Sequence, residues 1–316
     1  MTFVKSIWSK IMLEYEVFKD IFDEKIFAKS KPDLLKKVAE YPDRYVGLFR
    51  PTKPEAKLLQ NLLQSNEIRF GDAFEVAIKQ YFINEGWQPL PQKITSKEGD
   101  ALDIDQLLIK DGKVLFIEQK IRDDHDSTKK RGQISNFEKK LEALVDIYGD
   151  KVTWGFFYFI DPSLIKNRNF YQPELQKLQE SWGVHLSVSY GQDMFNQLGL
   201  SHVWPDIMNN LQKWRQDIPD LPNVNFDSNP EESAEEIKDL PLRIFRKLFD
   251  DERIVSQILP VLFPSGATLA ILEPYFRNQN TVVAGNISRN IANYLQSSLI
   301  RQIPVKNTPS SAAFDR

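Results

Sequence analysis

In the stretch LDIDQLLIKDGKVLFIEQK, residues 102–120, the carboxylates Asp103, Asp105 and Glu118 and the closing lysine stand at spacings that converge if the chain turns back on itself at Asp111-Gly112. An Asp-Gly pair between two apolar runs is the strongest short-range signal for a two-residue hairpin. With Lys110 set opposite Lys113, counting outward puts Asp105 opposite Glu118 and Asp103 opposite Lys120, each pair about 4.5 to 5.5 Å apart at Cβ. Strand side chains alternate with period two, so Asp103, Asp105, Glu118 and Lys120 share a face. Facing carboxylates destabilise a sheet, and burial raises their pKa values. A hard divalent cation offsets both effects. Mg2+ fits, because it takes one or two carboxylates and completes its shell with water and phosphate oxygens. Asp105 and Glu118 are the expected ligands of one or two such ions. Lys120 would orient or help deprotonate an attacking water and stabilise charge developing at phosphorus. The implied chemistry is phosphodiester hydrolysis.

Such a hairpin needs elements to hold it. Residues 1–66 read as helices punctuated by KSKPDL and FRPTKPEA. From Phe70, the residues Phe70, Phe74, Ala77, Ile78, Tyr81 and Phe82 form one helical stripe that Gly86 stops, with Glu75 at its margin. WQPLPQKI, ALDIDQLLI and KVLFIEQKI read as three strands. A second amphipathic helix, expected to begin near Gln133, turns Ile134, Phe137, Leu141, Leu144, Val145 and Tyr148 inward. VTWGFFYFI is apolar on both faces and reads as a buried strand. Helical PELQKLQESW and the strand GVHLSVSYG follow, which makes the class α/β. Beyond residue 200 the strand signals stop. NVNFDSNPEESAEE reads as a polar linker or long loop, and helical segments resume, the last with Ile287, Ile291, Leu295 and Leu299 on one stripe. The tail VKNTPSSAAFDR reads as loose. The organisation expected is a helical segment 1–66, a core 67–200 and a helical subdomain 201–316.

LDIDQ followed by FIEQK resembles the PD-(D/E)XK nuclease superfamily, and the arrangement over roughly residues 70–195 is similar to that of type II restriction endonucleases. The resemblance implies a restriction-endonuclease-like core: helix, three strands, helix, strand, in a mixed sheet flanked by helices. It makes Asp105, Glu118 and Lys120 the catalytic set and Glu75, on the preceding helix, a further metal candidate. Ile104 stands where the family pattern has proline, which leaves Asp103 as a rival ligand. The resemblance further implies Mg2+-dependent cleavage of double-stranded DNA at a short sequence by a homodimer, with a cognate DNA methyltransferase on a separate chain. The alternatives are a structure-specific repair or recombination nuclease of the same superfamily and, from another class, a non-catalytic DNA-binding protein with an inert acidic hairpin.

Arg122, Lys129, Lys130 and Arg131 precede the second amphipathic helix, whose N-terminal amides suit a phosphate. They are expected to touch the DNA backbone, with Gln133 and Asn136 reaching further phosphates or base edges. His125, among Asp123, Asp124 and Asp126, is either a participant in the site or a salt-bridged surface residue. His185 and His202 lack metal-ligand spacing. The formal net charge of −3 argues against indiscriminate coating of nucleic acid but leaves room for a basic cleft. There is no cysteine, so no disulfide framework and no thiolate metal site. No G-x-x-x-x-G-K-[ST] loop and no glycine-rich AdoMet loop occur, so neither ATP nor AdoMet is an expected cofactor. Neither a signal peptide nor a membrane span stands out, and a cytoplasmic location is expected.

Overall fold

A computed structural model describes residues 12–28, 30–47, 49–218 and 224–302, the last four by backbone alone. The expected loose tail and the side chain of Leu299 lie outside the described residues. In chain order the helices and strands are α1 (Tyr15–Ile26), α2 (Ser30–Glu40), α3 (Pro54–Asn84), β1 (Gln88–Pro89), β2 (Lys93–Thr95), β3 (Ala101–Asp103), β4 (Gln106–Lys110), β5 (Lys113–Lys120), α4 (Ser127–Tyr148), β6 (Val152–Phe159), α5 (Arg168–Trp182), β7 (His185–Tyr190), α6 (Gln192–Gln197) and α7 (Val203–Asp217). Then come α8 (Pro230–Ile237), α9 (Leu242–Asp250), α10 (Leu259–Leu262), α11 (Ala267–Arg277) and α12 (Val282–Gln302). The chain packs as two units. Among the described residues, one unit joins those up to Ile26 to Ile68–Ile218; the other joins those between Phe27 and Glu67 to those beyond 218.

The first unit is a five-stranded mixed sheet in the order β1-β4-β5-β6-β7, flanked by helices. β1, β4 and β5 run antiparallel, whereas β5, β6 and β7 are parallel. The hairpin forms in the expected register, Lys110 opposite Lys113. Asp111 and Gly112 both have positive φ, 50° and 76°, which is what a turn matching the twist of the two strands requires. One face of the sheet packs Leu107, Val114, Phe116, Phe157, Phe159 and Val188 against Ile134, Phe137, Leu141 and Leu144 of α4 and Tyr171 and Leu175 of α5. On the opposite face Phe82 of α3 stacks on Phe195 of α6, which meets Tyr158 edge-on.

Two of the three expected strands in the 87–120 region are divided. WQPLPQKI divides into β1 and β2, and ALDIDQLLI breaks at Ile104–Asp105, so that β3 pairs with β2 in a separate two-stranded sheet. Asp103 consequently lies opposite Lys93 rather than Lys120. Only β5 runs unbroken. α4 begins at Ser127, six residues before Gln133, because the Asp126 carboxylate accepts from the amides of Thr128 and Lys129 and so caps the helix there. The helix expected from Phe70 is the C-terminal part of the longer α3, and α5 starts five residues before Pro173.

The second unit has a helical core that includes Leu34, Leu35 and Val38 of α2, Phe245 and Leu248 of α9, and Ile287 and Ile291 of α12. The acidic stretch read as a linker folds instead: Phe226, Ala234 and Ile237 are buried. Its Asp227 carboxylate accepts from the amides of Ser265, Gly266 and Thr268, capping the start of α11. No single helix among the described residues is long and apolar enough to cross a membrane.

Gly155 in β6 has no room for a side chain, since an added Cβ would lie 2.4 Å from the Phe116 ring and 2.6 Å from Leu186. Gly155→Ala should therefore lower stability by about 2 kcal/mol through overpacking, read as a lower denaturant midpoint at unchanged slope.

Candidate active site

The break at Ile104–Asp105 creates the site. Continued past Gln106, the β4–β5 ladder would offer the Gln119 amide to the carbonyl of Ile104. Instead, Gln92 donates its side-chain amide to the carbonyls of Ile104 and Asp105, and its own oxygen accepts from Lys79 at 2.5 Å. The freed Gln119 amide donates to Asp105 Oδ2 at 2.6 Å. A side-chain carboxylate thus replaces a backbone carbonyl, and Asp105 is aimed by the main chain of β5.

Glu118 and Lys120 stand on the same face of β5. Lys120 Nζ donates to Glu118 Oε1 at 2.7 Å and lies 3.3 Å from Asp105 Oδ2. A second lysine closes the group: Lys140 of α4 donates to Glu118 Oε2. The side chains of Glu118 and Lys140 are 4% and 6% exposed, against 18% for Asp105 and 25% for Lys120. The four groups thus form a ladder of alternating charge, sealed at Lys140 and open to solvent at Lys120.

Burial, followed by the Glu118 charge, holds the Asp105 carboxyl above the usual carboxylate range against the pull of Lys120 and the Gln119 amide. Burial alone would lower the Lys120 ammonium, but Glu118 and Asp105 outweigh it and raise it. Lys120 is therefore held as a cation. Glu75 lies within the electrostatic reach of the group. Burial first, then Asp105 and Asp72, push its carboxyl up to about 7. Among the described residues no set of three or more histidine or acidic side chains is placed to hold an ion. Asp105 and Glu118 supply two hard oxygen donors, which is the number Mg2+ ordinarily takes from protein while keeping its waters. The donor chemistry fits that ion.

Lys129, Gln133, Asn136 and Lys140 are spaced by four, three and four residues, which puts them on one stripe of α4. Lys140 lies about 20 Å along the helix from its start, so the earlier turns carry the other three residues outward from the carboxylates. Lys129 and Arg131 are exposed, and Gln133 and Asn136 are partly so. Lys130 sits 4.6 Å from the centre of the Phe170 ring. Arg122 is exposed, 4.0 Å from Asp161. The first amides of α4 are not open to a phosphate as expected, since Asp126 already occupies two of them.

His125 is not a surface residue. It is buried with Nδ1 3.0 Å from the Tyr171 hydroxyl, and burial, then Lys129, lower its pKa. Asp123, wholly buried, accepts from the Asn167 amide at 2.6 Å, the Asn167 side chain at 2.8 Å and the Tyr190 hydroxyl at 2.9 Å. This network ties the segment after β5 to the start of α5 and the end of β7. His185 packs against Trp154 and His202 pairs with Glu85, both away from the acidic pair. A cavity of about 510 Å3 beside β7, lined by Arg168, Gln172 and Gln176 among others, includes none of the four charged groups.

The family model described as HinfI, a type II restriction endonuclease, matches residues 83–215. Searches of curated proteins and of solved structures gave no match. The matched segment runs from the end of α3 into α7 and contains Asp105, Glu118, Lys120 and Lys140.

Two outcomes follow from this geometry. Glu75 keeps its proton up to about 7 in the fold and only to 4.5 when unperturbed. Between those values the folded chain binds more protons than the unfolded one, so stability falls as pH rises through that window. Glu75→Gln should make the decline in Tm between about pH 5 and about pH 8 shallower. Asp123→Ala strands three buried donors and should destabilise the fold by about 3 kcal/mol in equilibrium denaturation.

Proposed function

We propose that this chain, whose residues 83–215 are those of a type II restriction endonuclease of the HinfI family and hence of a DNA hydrolase, cuts DNA with Asp105, Glu118 and Lys120 around Mg2+. One observation carries the assignment. Two carboxylates, one from the break ahead of β4 and one from β5, meet a single ammonium at 3.3 and 2.7 Å at the end of a mixed sheet, inside the matched segment. This arrangement supports a restriction-endonuclease-like core.

Asp105 and Glu118 would hold the ion, and Glu75 would act through an intervening water. When bound, magnesium lowers the pKa of a coordinated water and neutralises phosphate charge. Lys120, held protonated by its two carboxylate neighbours, is better suited to stabilise the charge that builds on the phosphate oxygens than to remove a proton. It donates to those oxygens and orients the attacking water. Arg122, Lys129, Lys130 and Arg131 would steady the flanking phosphates. Gln133 and Asn136, on the Lys140 stripe, would lie along the strand being cut. Cleavage of both strands at a symmetric site calls for two such centres related by a two-fold axis, hence a homodimer. A separate methyltransferase would protect the host's copies of the sequence.

Plasmid DNA incubated with the protein and Mg2+ should yield discrete fragments, and EDTA should leave it intact. Lys120→Ala and Asp105→Asn should each slow cutting by at least about a hundredfold while the circular dichroism spectrum is retained. Undiminished cutting by both variants would move the chemistry elsewhere.

A further inference from the structure

We propose that the site takes a single divalent cation, and that Lys140 is the positioning residue that sets this number; the inference rests on the assignment of Asp105 and Glu118 as ligands. The argument is a count of carboxylate oxygens. Asp105 Oδ2 is committed to the Gln119 backbone amide at 2.6 Å, a donor that cannot move without breaking up β5. Glu118 Oε2 is committed to Lys140. The Lys140 side chain is 6% exposed and shares the inner face of α4 with Phe137, Leu141 and Leu144, so it has no solvent-exposed place to withdraw to. Lys120, by contrast, is 25% exposed and can swing toward an arriving phosphate.

Two carboxylate oxygens are left without a fixed donor when Lys120 moves, Asp105 Oδ1 and Glu118 Oε1, one from each carboxylate. One hard cation uses both and fills its shell with water and phosphate oxygens. A two-ion centre holds its metals about 4 Å apart, which calls for further anionic ligands or for both oxygens of one carboxylate to bridge. The Gln119 amide and Lys140 each hold a lone pair of the two oxygens that bridging would use and fix their direction, and Lys140 adds a positive charge beside one of them. A second ion would also lie close to the buried Lys140 ammonium, and the repulsion between them is little screened.

The protein is titrated with Mn2+, and the free ion is followed by electron paramagnetic resonance. One bound ion per chain, without exchange-coupled pairs, is expected. Two ions, or a coupled pair, would overturn the count while leaving the ligand assignment standing. No binding at all would overturn the count together with that assignment. Lys140→Met removes a neighbouring positive charge and leaves Glu118 without its buried partner, so it should bind Mn2+ several-fold more tightly and admit a second ion. Lys140→Arg should behave as the wild type. If Lys140→Met does not fold, Lys140→Gln keeps a donor without the charge and is read in the same way. A folded, uncharged variant with unchanged Mn2+ affinity and stoichiometry would show that Lys140 merely packs.

Discussion

Two carboxylates brought together out of water repel each other, and most of what surrounds residues 105 and 118 counters that repulsion. The Gln119 amide, the Lys120 ammonium and the Lys140 ammonium each address a different oxygen of the pair or share one. They come from three distinct sources: the backbone of β5, the solvent-facing end of β5, and the inner face of α4. The acidic pair thereby stays ordered while one side of it remains accessible. A buried pair broken on one side is strongly destabilising, so the rest of the unit must keep these donors fixed.

The packing does so in layers. Ile134, Phe137, Leu141 and Leu144 seat α4 on the sheet and thereby fix Lys140 over Glu118. Gln92 secures the break that turns Asp105 out of the ladder. Asp123, Asn167, Tyr171 and Tyr190 join the segment after β5 to its neighbours, so the strand end carrying Lys120 is braced from beyond as well. A polar network that is fully bonded stiffens its surroundings.

The hairpin, its register, and the inner faces of α3 and α4 were legible in the sequence because each depends on a local pattern: an Asp-Gly turn, alternation by two, or apolar spacing by three and four. Asp103 was misplaced because register counting assumes an unbroken ladder, and the break depends on Gln92, a contact invisible to counting. Lys140 was missed, although a signal was present: it sits among inward-facing residues, three after Phe137 and four before Leu144. A lysine on an apolar stripe demands a buried acid, but naming that acid requires knowing that α4 crosses β5. The folded acidic stretch from Asn225 was read as a linker by composition, whereas its Asp227 carboxylate is used on amides some forty residues away. His125 shows the same limit, since three neighbouring aspartates suggested a salt-bridged surface residue as readily as a site participant, while its partner Tyr171 is remote in sequence.

The order in which the chain is strung through its two units bears on how it is made. α2, with Leu34, Leu35 and Val38, belongs to the helical core completed by α9 and α12, yet everything through Ile218 intervenes. As the polypeptide leaves the ribosome, the sheet can close around its own residues while those leucines still lack their companions. The sheet-bearing unit is therefore assembled early, and a greasy early segment waits for late synthesis to shelter it, exposed meanwhile to chaperones and to sticking with its like.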